Sequence, residues 1–209
     1  MQENALLSVI VPCYNEADNL PLFYQHILPV CRSLCEQGSI SDYEILLVND
    51  GSKDRTLPTM RALSEQDPHV FFLSFTRNFG KEAAMLAGLS HSRGDFVTIM
   101  DADLQDDVNT VDEFITNFRN GDEIVYGVRS ARKKDTWFKR NTAEAFYKVF
   151  EWMGAETVPD HADYRLMSSE ALDALSEYHE VNLFLRGIVP TLGYRTSKVY
   201  YERGAVSYT

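Results

Sequence analysis

Between Val97 and Asp107 the sequence reads "VTIMDADLQDD", an apolar run followed at once by Asp101, Asp103, Asp106 and Asp107. Like charges this close repel, so the cluster needs a counter-charge or full solvation. Asp101, Asp103 and Gln105 offer hard oxygen donors of the kind that Mg²⁺ or Mn²⁺ takes from a protein, completing its shell with water and substrate phosphates. The competing reading is a solvated acidic loop, because D-x-D is frequent by chance. The place of the motif behind an apolar strand favours a metal.

Other stretches carry chemistry of the same kind. In "NDGSKDRT", Asp50, Gly51 and Ser52 make a tight turn that can hold a carboxylate beside a nucleoside; alternatively Asp54 or Thr56 merely caps the next helix. In "TRNFGKEAA", Gly80 permits close backbone approach and Lys81 can reach a phosphate as a point charge, against the plainer reading of a solvated lysine. "RSARKKDTWFKR" gathers Arg129, Arg132, Lys133, Lys134, Lys139 and Arg140 around Trp137 and Phe138. Such a run is either a solvated loop or a cationic face for an anionic substrate or an anionic lipid surface. "DHADYRLM" sets Asp160 and Asp163 near Arg165, as a structural pair or as part of a site.

Those residues must be positioned by something. Near-continuous apolar runs at 6–14, 43–50, 70–75, 95–101 and 123–128 predict strands covered on both faces. Helical spacing predicts helices at about 20–38, 56–66, 81–92 and 108–120, so strands and helices alternate. That pattern predicts right-handed βαβ units, an α/β class and an open, mostly parallel sheet with helices on both faces. Ligands of such sheets sit beyond the carboxyl ends of the strands. "PCYNE", "NDGSKD" and "DADLQDD" all fall at that edge, and their convergence says more than any one of them. Further on, the spacing predicts a long helix around 137–153, a helix over "SEALDALSEY", another at about 182–192, and a strand in "RTSKVYYER".

Composition narrows the class. The 209 residues, 44% hydrophobic and 24% charged, suit one globular domain with a sizeable core. A formal net charge of -11 argues against nucleic-acid binding. Cys13, Cys31 and Cys35 are an odd number without a C-x-x-C, which fits free thiols in a reducing cytosol better than a disulfide scaffold. The N-terminus lacks the basic region of a signal peptide, and no run of about 18 apolar residues predicts a membrane span.

Taken in order, "SVIVPCYNEADNL", "LLVNDGSKDRT", "SFTRNFGKEAAMLAG", "IMDADLQDD", "VYGVRS" and "DYRLMS" resemble the family-2 glycosyltransferases of GT-A fold. More narrowly, the chain resembles their bacterial polyisoprenyl-phosphate branch, the bactoprenol glucosyltransferases, and the dolichyl-phosphate mannose synthases. The likeness runs from about residue 6 to 203. It implies one catalytic domain, with a nucleotide-sugar region at about 1–130 and an acceptor and membrane-facing region at about 131–209. It implies that Pro12, Tyr14, Glu16 and Asp50 hold the base and ribose, with Lys81 and Ala102 in the nucleotide-sugar pocket. Asp101, Asp103 and Gln105 would hold Mg²⁺ or Mn²⁺ and the diphosphate, Arg129 and Arg140 the phosphates, and Asp163, beside Arg165, the acceptor as the family's presumed base. Because a phosphate monoester is already largely ionised at neutral pH, a role in orienting Arg165 or the acceptor stays open beside it.

The implied reaction is an inverting transfer of a hexose, glucose from UDP-glucose for preference, onto polyprenyl phosphate at the cytoplasmic membrane face. GDP-mannose and UDP-aminoarabinose stay open as donors. Close relatives continue into two C-terminal membrane helices, whereas this sequence stops at "ERGAVSYT". The expectation is either a piece of a longer chain that is integral through such helices or a member that attaches peripherally. Two other classes are weighed against this. A D-x-D phosphotransferase of the haloacid-dehalogenase type would carry the motif on its first strand rather than its fourth. A non-catalytic nucleotide-binding module would leave the three converging loops unexplained.

Overall fold

The computed structural model describes residues 5–130, 161–178 and 184–202. These form a seven-stranded sheet in the order β3-β2-β1-β4-β6-β5-β7. The strands are β1 (Leu6–Cys13), β2 (Asp42–Asn49), β3 (Val70–Ser74), β4 (Phe96–Ile99), β5 (Ile124–Arg129), β6 (His161–Ser168) and β7 (Thr196–Tyr201). The helices are α1 (Asn19–Glu36), α2 (Thr56–Gln66), α3 (Lys81–His91), α4 (Thr110–Arg119), α5 (Ser169–Ser176) and the short α6 (Leu185–Ile188). The alternation expected from the apolar runs is present, with ends displaced by a residue or two.

The strands build two cores because successive side chains point to opposite faces. On β1, Leu7, Val9 and Val11 meet Leu20, Phe23 and Ile27 of α1, Met60 of α2 and Phe114 of α4. Ile10 points the other way, among Ala84 and Met85 of α3, Ala171 and Leu175 of α5, and Leu185 of α6. Both faces are therefore covered, which is why these strands read as continuous apolar runs rather than alternating ones.

β1 pairs in parallel with β2 on one side and with β4 on the other. Strand order thus reverses between β1 and β4, and the crevice at such a switch point is where ligands of open α/β sheets bind. The loops after β1 and β4 flank it.

Two findings go beyond the sequence reading. "HADYRLMS" is a strand, β6, inserted antiparallel between β4 and β5. Its direction brings its first residues, rather than its last, to the carboxyl edge of the sheet. Ile99 faces Arg165 in the β4–β6 register, so two residues further along Asp101 and Asp163 come level. Where a helix is expected at about 182–192, the described residues form the short α6 and then a 3₁₀ turn over Val189–Leu192. Pro190 sits in that turn, where it has no N–H to continue an α-helical ladder. The helix expected at 137–153 lies outside the described residues.

Candidate active site

The loops after β1 and β2 are stitched together. Asn15, at φ 60°, accepts the Lys53 N–H at its Oδ1 (2.9 Å) and donates its own N–H to Ser52 Oγ (3.0 Å). The Glu16 N–H donates to Thr56 Oγ1 (2.8 Å) and the Ala17 N–H to Asp54 Oδ2 (3.2 Å). Tyr14 stands exposed beside them, while Pro12 and Ala102 are buried under the crevice.

Asp50 is placed differently from a free nucleoside-binding carboxylate. It is 3% exposed, and its two oxygens accept the Phe79 and Gly80 N–H groups at 2.6 and 2.9 Å. Asp50 therefore fastens the loop that starts α3. Gly51 serves the same junction: its φ is +63°, and a Cβ there would lie 2.2 Å from the carbonyl carbon of Arg77. Only glycine admits that approach.

The four carboxylates behind β4 separate into two pairs. Asp106 is buried; it accepts hydrogen bonds from the Tyr201 hydroxyl and from Arg129 Nη2, the latter at 3.1 Å. Asp107 is exposed and accepts the Asn109 N–H at 3.0 Å, while its carbonyl accepts the Tyr164 hydroxyl at 2.9 Å. This pair shapes the loop and ties it to the ends of β5, β6 and β7. Arg129, expected near phosphates, is one of those ties. Arg140 lies outside the described residues.

Asp101 and Asp103 form the other pair, half-buried at the crevice. The Gln105 N–H donates to Asp103 Oδ1 (3.1 Å), and Leu104 turns the chain at φ 56°. Burial raises the Glu16 pKa, and the charges of Asp103 and Asp101 raise it further. Glu16, Asp103 and Asp101 thus stand near one another on this side of the crevice. Among the described residues no three His, Cys, Asp or Glu side chains gather into a complete metal cage. Two carboxylates are nonetheless what Mg²⁺ or Mn²⁺ uses when substrate phosphates and water complete its shell. The donor set fits such an ion.

Opposite stands Asp163, 5% exposed and level with Asp101. Lys81 joins the two: its Nζ is 2.6 Å from Asp101 Oδ1, 2.9 Å from Asp101 Oδ2 and 2.9 Å from Asp163 Oδ2. Arg186 grips Asp163 with two bonds, Nε to Oδ1 at 2.7 Å and Nη2 to Oδ2 at 3.0 Å. Burial alone would raise the Asp163 pKa, but Arg186 and Lys81 outweigh it and hold the carboxyl well below the usual carboxylate range. Burial likewise pulls the Lys81 pKa down, and Asp101 and then Asp163 more than restore it.

Arg165 lies beneath, 0% exposed. None of its three nitrogens makes a hydrogen bond among the described residues, and Asp163 Oδ1 is 4.0 Å from Nη2. Burial lowers its pKa and Asp163 opposes the fall. Its contact with the crevice runs through Asp163. Glu82, the second residue of α3, accepts the Leu185 N–H at 3.4 Å and so fixes the start of the helix bearing Arg186. Sequence reasoning missed Arg186 and Glu82. Neither stands in a distinctive spacing, although Glu82 adjoins the singled-out Lys81.

The chain matches the model of "Glycosyl transferase family 2" over residues 8–182. It is 42% identical to the glycosyltransferase YkoT of Bacillus subtilis over 97% of this chain and 61% of that one. It is 40% identical to the bactoprenol glucosyl transferase of Shigella phage SfV over 94% of this chain and 63% of that one. The chain thus spans less than two thirds of the length of the curated relatives it matches. Among solved structures it resembles the mannosyltransferase PcManGT of Pyrobaculum calidifontis in complex with GDP-Man and Mn2+, with a TM-score of 0.66 at 20% identity, covering 98% of this chain and 59% of that one. At that identity the likeness carries the GT-A fold alone.

Proposed function

The chain belongs to glycosyl transferase family 2, and on that premise we propose that it is an inverting glucosyltransferase acting from UDP-glucose onto polyprenyl phosphate. One observation carries the reading. A single ion-paired chain, Asp101–Lys81–Asp163–Arg186, spans the carboxyl edge of the sheet in a protein 40% identical to a bactoprenol glucosyl transferase. The chain joins a carboxylate suited to a metal-bound diphosphate to a cationic patch suited to a second phosphate.

Asp101 and Asp103, with Gln105 beside them, would hold Mg²⁺ or Mn²⁺. When bound, that ion neutralises charge on the leaving nucleoside diphosphate as Lewis acid and template. Tyr14, Glu16 and the stitched loops after β1 and β2 form the wall against which the nucleoside lies. Asp50 shapes that wall by holding Phe79 and Gly80. Lys81 and Arg186 face the reacting phosphates.

Asp163 acts by orientation. A phosphate monoester has a second pKa of about 6 and is largely ionised at neutral pH, so the acceptor needs little deprotonation. A useful general base has a pKa near the working pH, whereas Arg186 and Lys81 hold Asp163 far below it. Asp163 sets the direction of Lys81 and Arg186, and Arg165 supports it from below.

No helix among the described residues is long and apolar enough to cross a membrane. The proposed site of action is the cytoplasmic membrane face, approached through Arg129–Arg140, of which residues 131–140 lie outside the described residues. Sedimentation with anionic liposomes at low and high salt tests that attachment, and salt-insensitive or absent binding refutes it. The reaction is tested with Mn²⁺, polyprenyl phosphate and labelled UDP-glucose, UDP-aminoarabinose or GDP-mannose. A glucosyl lipid is the expected product; release of free phosphate, or another preferred donor, overturns the assignment.

A further inference from the structure

Lys81 occupies the place where a cation is wanted. Its ammonium lies within 2.9 Å of both oxygens of Asp101, so neither oxygen is available to a metal without being shared with a second positive charge. The same ammonium touches Asp163 Oδ2 at 2.9 Å, which gives it a partner if it leaves Asp101. Its side chain is 42% exposed, and a lysine is a point charge on a flexible stem, able to swing where an arginine fork is held in plane. Asp103 has no ion pair of this kind among the described residues, and Glu16 lies close enough to feel both carboxylates.

We propose that Lys81 is a resident counter-ion that takes the place of the divalent metal at Asp101 in the ligand-free protein. Metal loading moves it off Asp101, and it then rests on Asp163 or on the incoming diphosphate. This builds on the metal-dependent donor site proposed above. Two cations on one carboxylate repel, so the metal binds weakly while the ammonium stays. A nucleoside diphosphate relieves the conflict by adding anionic oxygens for both. Metal and nucleotide must therefore favour each other by the same factor, since coupling between two sites is reciprocal. The shift also changes the charge felt by Asp163, which links loading of the donor side to the acceptor side.

The test measures Mn²⁺ binding rather than turnover, by the electron paramagnetic resonance signal of free Mn²⁺. Parent, Lys81→Met and Lys81→Arg are titrated with and without UDP, and melting curves establish that each is folded; Lys81→Gln replaces the Met variant if that one does not fold. Removing the charge is expected to tighten Mn²⁺ binding in the absence of UDP by about tenfold or more, and to shrink the gain that UDP brings. Lys81→Arg, which keeps the charge, should stay near the parent. If Lys81→Met binds nucleotide-free Mn²⁺ no better than the parent while UDP still promotes binding in both, the counter-ion role is overturned and the metal site stands. If no variant binds Mn²⁺ even with UDP, the metal site fails and the counter-ion role falls with it.

Discussion

Replacing Asp163 by Asn tests whether that carboxylate is an organiser of cations or a proton acceptor. The change keeps the shape and removes one negative charge from beneath Arg186, Lys81 and Arg165. Breaking a buried ion pair by neutralising one partner costs about 3–5 kcal/mol. Here Lys81 and Arg186 are nearly half exposed, so water takes up part of the loss, while Arg165 at 0% exposure keeps its share. The expected cost is therefore lower, about 2–3 kcal/mol. For a chain of this size each kcal/mol moves the midpoint by about 2–4 °C, giving a fall of about 4–12 °C.

The pH dependence gives the sharper test. The folded-state pKa of Asp163 is depressed, so its contribution is fully present above the unfolded value of about 3.9 and is lost as pH falls through the folded value. Thermal melts of parent and Asp163→Asn should thus differ by a constant amount from pH 8 down to about pH 5, and converge only in stronger acid. A parent that gains stability relative to the variant as pH falls from 7 to 5.5 would instead place the Asp163 pKa near neutrality, because the folded state would then bind a proton that the unfolded chain does not. That result would refute the organising role and restore the general base. Glucosyl transfer should fall sharply in the same variant, through misdirected Lys81 and Arg186, with Mn²⁺-dependent UDP binding largely kept.

Two further outcomes follow from the geometry. Asp103→Ala should remove most Mn²⁺-dependent UDP affinity with an unchanged melting curve, measured by calorimetric titration; equal affinity with and without metal would exclude the loop after β4 as the metal site. Gly51→Ala should lower stability by about 1–3 kcal/mol, because its φ of +63° and the 2.2 Å approach to Arg77 both forbid a Cβ; a parent-like denaturation midpoint would show that the Arg77–Asn78 loop yields.

Much of this was legible because local pattern and final role coincide. The first five strands are apolar on both faces, so their runs announce them, and the polar loops at their ends fall on one edge by topology alone. β6 was hidden by its own charged residues. A strand carrying His161, Asp163 and Arg165 does not read as interior, yet β6 lies between β4 and β5. The charge of Asp163 is tolerated because Lys81 of α3 and Arg186 of α6, residues outside the strand, pair with it. Asp50 and Arg129 are a related case: their residue types pointed to ligands, and long-range partners, the Phe79 and Gly80 N–H groups and Asp106, engage them within the protein.

The reversed direction of β6 has a chemical consequence. A parallel strand in that position would present its last residues at the crevice, and Asp163 would lie at the opposite end of the sheet. Running antiparallel, β6 sets Asp163 level with Asp101, and one lysine spans both. The two proposed substrates are both phosphates, and each would be repelled by the other on a shared edge. In the proposed arrangement Lys81 and Arg186, both paired with Asp163, would lie between them, and Asp101 and Asp103 would draw in a divalent cation once Lys81 leaves Asp101. On the proposed function, an edge arranged in this way would separate two anions by alternating charge, with cation-binding carboxylates on the donor side and carboxylate-held cations on the acceptor side. It also gives Asp163 a reason to be a carboxylate even though no proton need pass to it: its negative charge lets two cations stand close together at a point where a neutral side chain would let them spring apart.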